Sequence, residues 1–380
     1  MTRPTLAAAT TLFLFSLAPR ASAQQPAPWH DPSPPTVQFV TVDNNVNLEV
    51  LDWGGSGRPL VLLAGLGATA HAFDDFAPKL VSEYHVYGIT RRGYGTSSVP
   101  ISGYSADRLG DDVAAVLDAL KLDKAVLVGH SFAGEELSSV ATRHRERIAG
   151  LVYLEAGYPY AYYDASRAGD LINDYIDWDE LRKKVEQALA PGNQPTIQQK
   201  LVEDLLKESV PSFEKDLQQL DTALTAAPPL IVPPKATAAD EENFVAFRAY
   251  QKRVQGVDIP EAELRELREP TSNGHVGPPK DKAPVIQALL EGMEKYTDVR
   301  VPVLAIFAGP HDLGPYAQDS PALQAFYASD ADHMKGLADA LKKGVPSARV
   351  VLLPHANHWI YISNEADVLR EMRAFLASLP

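Results

Sequence analysis

The thirteen residues at 124–136, KAVLVGHSFAGEE, constrain this chain more than any other stretch. Ala125, Val126, Leu127 and Val128 form an unbroken apolar run, the pattern of a short parallel strand covered on both faces. Gly129 ends the run, and Gly-His-Ser-Phe-Ala-Gly sets Ser131 at the corner of a sharp turn, with a helix predicted from Phe132 onward. Small neighbours let such a turn close so tightly that the hydroxyl stands above the sheet edge, near the positive end of the helix. The backbone N–H of Phe132 can then point at an oxyanion forming beside the serine, a geometry suited to acyl transfer. The fifth residue of the pattern is Ala133, with Gly134 one place later, so a methyl stands where strand and helix cross.

A parallel strand needs neighbours, and the chain supplies them. Residues 37–42 and 46–53 read as an antiparallel hairpin, with Val46, Leu48 and Val50 alternating with polar residues. Short apolar runs at 59–63, 86–89, 151–154, 301–307 and 349–353 read as buried strands. Between them, residues 105–122 keep Leu109, Val113, Val116, Leu117 and Leu120 at helical spacing, and a last helix covers 364–379. The fold class is α/β: a mostly parallel sheet with helices on both faces. From 158 to about 297 the pattern changes to helices, prolines and charges without a convincing buried strand, which predicts a large helical cap inserted into a core of 37–157 and 298–380.

The first 23 residues carry Arg3, an apolar run from Leu6 to Leu17, and Ala21-Ser22-Ala23, the pattern of a secretory signal peptide. Its apolar run is shorter than the roughly 20 residues that span a bilayer, so export to the periplasm or the exterior is expected, with no membrane span once the leader is removed. Residues 24–36 read as a proline-rich linker. Loss of Arg3 and Arg20 with no acid takes the net charge from −14 to −16, which opposes binding to nucleic acid or to an anionic membrane. The absence of cysteine excludes disulfides, thiolate catalysis and cysteine metal sites.

A serine nucleophile needs a base from elsewhere in the fold. His358 follows the last strand and precedes the last helix, and Asp312 follows the preceding strand in Gly309-Pro310-His311-Asp312, where it can approach the histidine from a neighbouring strand end. In this order of elbow, acid loop and histidine loop, with a glycine-rich strand end at 64–67 and the Arg-Gly-x-Gly-x-Ser loop at 92–97, the chain resembles the α/β-hydrolase family over 37–157 and 298–380. The resemblance implies that Ser131 attacks an acyl carbon, His358 moves the proton, Asp312 orients the imidazole, and the N–H groups of Leu66 and Phe132 form the oxyanion hole, with neither metal nor organic cofactor required. Some members of the family take the acid from the strand after the elbow, which makes Glu155 the alternative.

The expected function is hydrolysis of small carboxylic esters through an acyl-enzyme. Glu135 and Glu136, in the first turn of the elbow helix, suit its dipole, but one facing the pocket would bind a substrate amine. That keeps open an aminopeptidase or amidase of the proline iminopeptidase type, and a catalytically silent binding protein on the same fold is a third reading. Tyr158 and Tyr160, at the start of the cap, suit either a substrate pocket or the packing of cap on core. His130 reads as a packing and hydrogen-bonding residue and His311 as an ordinary loop residue. Oligomeric state is not legible.

Overall fold

The computed structural model describes residues 35–164, 171–191, 195–226 and 230–380. The expected leader and nearly all of the proline-rich linker lie outside the described residues. Strands β1 (Thr36–Asp43) and β2 (Val46–Gly54) form the antiparallel hairpin at one sheet edge. Strands β3 (Pro59–Leu63) and β4 (His85–Ile89), helix α1 (Ala106–Ala119), strand β5 (Ala125–His130), helix α2 (Gly134–Arg143) and strand β6 (Ile148–Leu154) follow.

An insertion then carries α3 (Leu171–Leu189), α4 (Pro195–Asp204), α5 (Val210–Ala226), α6 (Phe244–Gln255) and α7 (Glu261–Leu267). Its remainder is a small antiparallel hairpin of β7 (Arg268–Pro270) and β8 (Val276–Pro279), then α8 (Ala283–Glu291). The hairpin is largely exposed, which is why no buried-strand pattern marks it in the sequence. The core resumes with β9 (Val303–Ala308), α9 (Pro321–Gly344), β10 (Ala348–Leu353), the single turn α10 (Ile360–Ser363) and α11 (Glu365–Ser378).

The sheet order is β1-β2-β4-β3-β5-β6-β9-β10, with every pair from β4 to β10 parallel. Strand β5 lies in the interior, and successive side chains serve opposite faces. Ala125 and Leu127 pack toward Val113, Val116 and Leu117 of α1, Leu137 of α2 and Leu337 of α9. Val126 and Val128 join Phe73, Met372 and Phe375 on the other side. Two-sided burial explains the unbroken apolar run, and it leaves the carboxyl ends of the parallel strands, where side chains need not be apolar, as the place for chemistry. Ser105 caps α1 by accepting the Arg108 N–H at 3.2 Å, so the expected helix start is one residue from the observed one.

Candidate active site

At the end of β5 the backbone of Ser131 takes φ 51°, a left-handed conformation that a non-glycine residue rarely adopts. Strain at this corner is what turns the hydroxyl out of the strand. The turn runs through a tight 3₁₀ segment at Ser131–Ala133 before α2 opens at Gly134, later than the helix start expected at Phe132. Gly134 is required by space: a Cβ there would lie 2.1 Å from the Ala156 carbonyl oxygen. Gly65 lets the neighbouring strand end approach, since its Cβ would lie 3.1 Å from the Cβ of Ser131.

Ser131 Oγ is 3.0 Å from His358 Nε2, the hydrogen bond that a serine nucleophile and its base require. On the far side of the ring, His358 Nδ1 lies 3.3 Å from Glu155 Oε2. His358 is held in place through its own backbone: the buried His130 ring donates from Nε2 to the His358 carbonyl at 2.9 Å. Burial, then the neighbouring His358, push His130 down to about 3, so it stays a neutral donor.

Glu155 directly follows β6 at φ 50° and is 0% exposed. Its Oε1 accepts the Ala308 N–H, and its Oε2 accepts the Tyr158 hydroxyl at 2.8 Å and meets His311 Nε2 at 2.6 Å. Burial would raise this carboxyl, but hydrogen bonds from His311 and His358 outweigh it and hold Glu155 down at about 2, an anion at any ordinary pH. His311 in turn meets Asp330 through Nδ1 at 2.9 Å, and burial notwithstanding, the bonds to Asp330 and Glu155 raise it to about 10.

The expected oxyanion donors are carried by two braced loops. Phe132 follows the serine in the tight turn. Leu66 sits in a strand end whose preceding carbonyls, Ala64 and Gly65, accept Arg91 Nη2 at 2.8 Å and Nη1 at 3.2 Å. The Gly65 carbonyl and the Leu66 N–H belong to one trans peptide and point in opposite directions, so fixing the former aims the latter. Arg91 is itself held by Glu136 in two bonds of 2.7 and 2.6 Å, both partners buried. From the insertion, Glu263 accepts the Thr69 hydroxyl at 2.5 Å and tethers the same loop to α7, while burial raises its carboxyl to about 7.

Among the described residues one group could offer ligands to a metal ion: Glu155, His311 and His358, with donor atoms within 4.8 Å of one another. The donor set does not suit one. His358 Nε2 is engaged with Ser131, and both ring nitrogens of His311 already face carboxylate oxygens.

The sequence pattern of the alpha/beta hydrolase fold matches residues 58–222. The chain belongs to the α/β-hydrolase superfamily. It is 35% identical to epoxide hydrolase A of Mycobacterium tuberculosis over 124 residues, 32% of this chain and 38% of that protein. It is 36% identical to a non-heme chloroperoxidase of Streptomyces lividans over 157 residues, 36% of this chain and 57% of that protein. These matches span less than two thirds of either relative. The solved structure of E-2-(acetamidomethylene)succinate hydrolase shares the fold, with a TM-score of 0.54 at 18% identity over 90% of this chain and 100% of the other.

In this α/β-hydrolase the expected site residues separate into those the fold brings together and those it does not. Ser131 and His358 meet. Asp312 does not reach His358: its Oδ1 accepts the Gly314 N–H at 2.8 Å and its carbonyl accepts Asn357 Nδ2 at 3.0 Å, so it shapes its own loop. The carboxylate at the histidine is the alternative, Glu155. Glu135 does not face a substrate space. It is 0% exposed, and burial raises it well above the ordinary carboxylate range.

Tyr158 and Tyr160 stand beside the site itself: the Tyr158 hydroxyl donates to Glu155 at 2.8 Å, and the Tyr160 ring lies against those of Phe132 and Tyr158. His311, expected to be a plain loop residue, is the largest omission; its place directly before Asp312, at a strand end beside two other candidate groups, was the available signal. A cavity of about 260 Å³ opens beside His311 and His358, walled also by Leu313, Tyr316 and Phe326.

Proposed function

We propose that this α/β-hydrolase cleaves small carboxylic esters through Ser131, His358 and Glu155. The observation that carries the reading is the unbroken relay from Ser131 Oγ to His358 Nε2 at 3.0 Å and from His358 Nδ1 to Glu155 at 3.3 Å. Ser131 Oγ bonds to the acyl carbon while its proton passes to His358 Nε2, and the carbonyl oxygen takes up charge beside the N–H groups of Leu66 and Phe132. Collapse breaks the ester bond; the alcohol leaves with the proton from His358. Water then attacks the acyl-enzyme by the same steps, with its proton taken by His358 and returned to Ser131. Glu155 keeps the Nδ1–H tautomer and balances the imidazolium.

Two features favour ester over N-terminal amine substrates: Glu136 is spent on Arg91, and Glu135 is wholly buried, so neither presents a carboxylate to an ammonium group. The cavity beside His358, about 260 Å³, is below the roughly 300–1,000 Å³ of drug-sized sites and suits a short acyl or alcohol group. Export through the leader at 1–23 belongs to the same reading; among the described residues no helix is long and apolar enough to cross a membrane. The test is a panel of acyl esters and aryl amides together with fluorophosphonate labelling, using Ser131→Ala as the blank. Turnover or labelling that survives in the blank would end the reading.

A further inference from the structure

We propose that His311, held as an imidazolium between Glu155 and Asp330, is a positioning residue that keeps the buried Glu155 ionised and aimed at His358, a role that presupposes the hydrolase reading. A neutral imidazole offers one N–H, yet both ring nitrogens of His311 face carboxylate oxygens: Nε2 on Glu155 at 2.6 Å and Nδ1 on Asp330 at 2.9 Å. Two such contacts call for two donors. Three separate elements build the arrangement. Glu155 comes from the end of β6, His311 from the loop after β9, and Asp330 from α9, where its Oδ2 also accepts the His311 backbone N–H at 2.6 Å and so locks the ring's orientation.

Glu155 needs this partner. A fully buried carboxylate without a cation takes up a proton rather than stay charged. Among the described residues no lysine or arginine pairs with it; the Tyr158 hydroxyl and the Ala308 N–H donate to it but are neutral. His358, its other hydrogen-bond partner, must itself be neutral when it acts as a base. That leaves His311 as the resident counter-ion, and its elevation to about 10 agrees with that charge.

Asp330 has a distinct part. Glu155 and His311 alone would cancel, and a proton arriving on His358 would meet no net negative charge. With Asp330 the resting group of Glu155, His311 and Asp330 carries one net negative charge, which the imidazolium of His358 then neutralises. Glu155 and His311 face His358, Asp330 and Tyr158, and His358 also touches the neutral His130.

Two measurements on the full mature chain test this. The first is the ¹⁵N spectrum of histidine-labelled protein at pH 8, assigned by subtraction of His311→Gln, with Asp330→Asn as a second perturbation. The expected result is an imidazolium with both nitrogens protonated for His311; a neutral ring overturns the proposal. The second is the pH profile of kcat/KM on an activated ester. In His311→Gln, which keeps a donor but not the charge, kcat falls by roughly tenfold or more, the scale on which partners that orient a site ligand act. KM stays within about twofold, on the premise that only the chemical step has lost stabilisation. Protonation of Glu155 then adds an acid limb displaced upward by about one to three pH units. His311→Lys, which restores a cation, moves the limb back toward wild type. A His311→Gln profile that superposes on the wild type overturns the proposal. If the wild type neither turns over esters nor labels at Ser131, the hydrolase reading has failed, and the ¹⁵N spectrum still decides the charge on His311.

Discussion

Glu155 and Asp312 stand at the carboxyl ends of neighbouring parallel strands, β6 and β9, yet only one of them meets the histidine. Glu155 directly follows the last residue of β6, with its backbone at φ 50° and its side chain wholly buried. Asp312 lies past the end of β9, with its N–H on the Ala356 carbonyl at 2.8 Å and its side chain spent on Gly314. A carboxylate's place at a strand end is therefore a necessary condition for orienting the base and not a sufficient one. What decides is which donors claim its oxygens first, and at β9 the loop's own backbone does.

The sharpest probes of this contrast are substitutions ranked by their expected cost. Ser131→Ala should lower kcat by about 10⁴-fold or more whichever acid serves, because it removes the nucleophile itself. Next comes Glu155→Gln. It should lower kcat by roughly 10³- to 10⁴-fold, since an amide neither fixes the Nδ1–H tautomer nor balances the imidazolium. A smaller loss, about 10²-fold in kcat, is expected for Arg91→Ala, which frees the Gly65–Leu66 peptide on the oxyanion side. Combined with Glu155→Gln it should multiply with the acid-side loss, and sub-multiplicative losses would mean that the two sides are not independent.

On stability, Glu155 held at about 2 against an ordinary value of 4.5 favours the fold above the ordinary value, and this contribution fades as pH falls toward 2. Thermal melting of the wild type should therefore drop more steeply between about pH 5 and 2 than that of Glu155→Gln; equal slopes would deny the depressed carboxyl. The least effect, within about threefold in kcat, belongs to Asp312→Asn, because asparagine can still accept the Gly314 N–H. Should Asp312→Asn prove far more damaging than Glu155→Gln, with both folded by circular dichroism, the acid moves to Asp312.

Much of this architecture is written in local patterns. The run at 59–63 is β3 with the same ends, and the strand, corner and helix around Ser131 follow from small residues and two-sided burial. The choice of acid is not local. Both candidates follow apolar strands, and what separates them is the left-handed bend at Glu155 and the His311 ring anchored by Asp330, eighteen residues beyond Asp312 on α9. Helix α9 itself, absent from the expected elements, had legible marks: Ser320 accepting the Leu323 N–H at 3.2 Å, Pro321 in the first turn, and Met334, Leu337 and Leu341 on one face. Arg91 and Glu136 illustrate a second limit. Forty-five residues apart in the chain, they are one ion pair in space, and a helix-dipole explanation of Glu136 was adequate without being the operative one.

The join between core and insertion has a practical corollary for chimeric enzymes. Chain order puts the boundary at 157–158, but Tyr158 donates to Glu155 and the Tyr160 ring lies against Phe132, so a transplanted insertion cut there would replace two residues that touch the recipient's candidate site. A better suture lies where Tyr163 donates its N–H to the Tyr296 carbonyl at 2.9 Å, since that bond already brings the two cut ends side by side. A swap cut at this clasp keeps Tyr158 and Tyr160 with the core and has to restore the bond from Thr69 to Glu263 of α7.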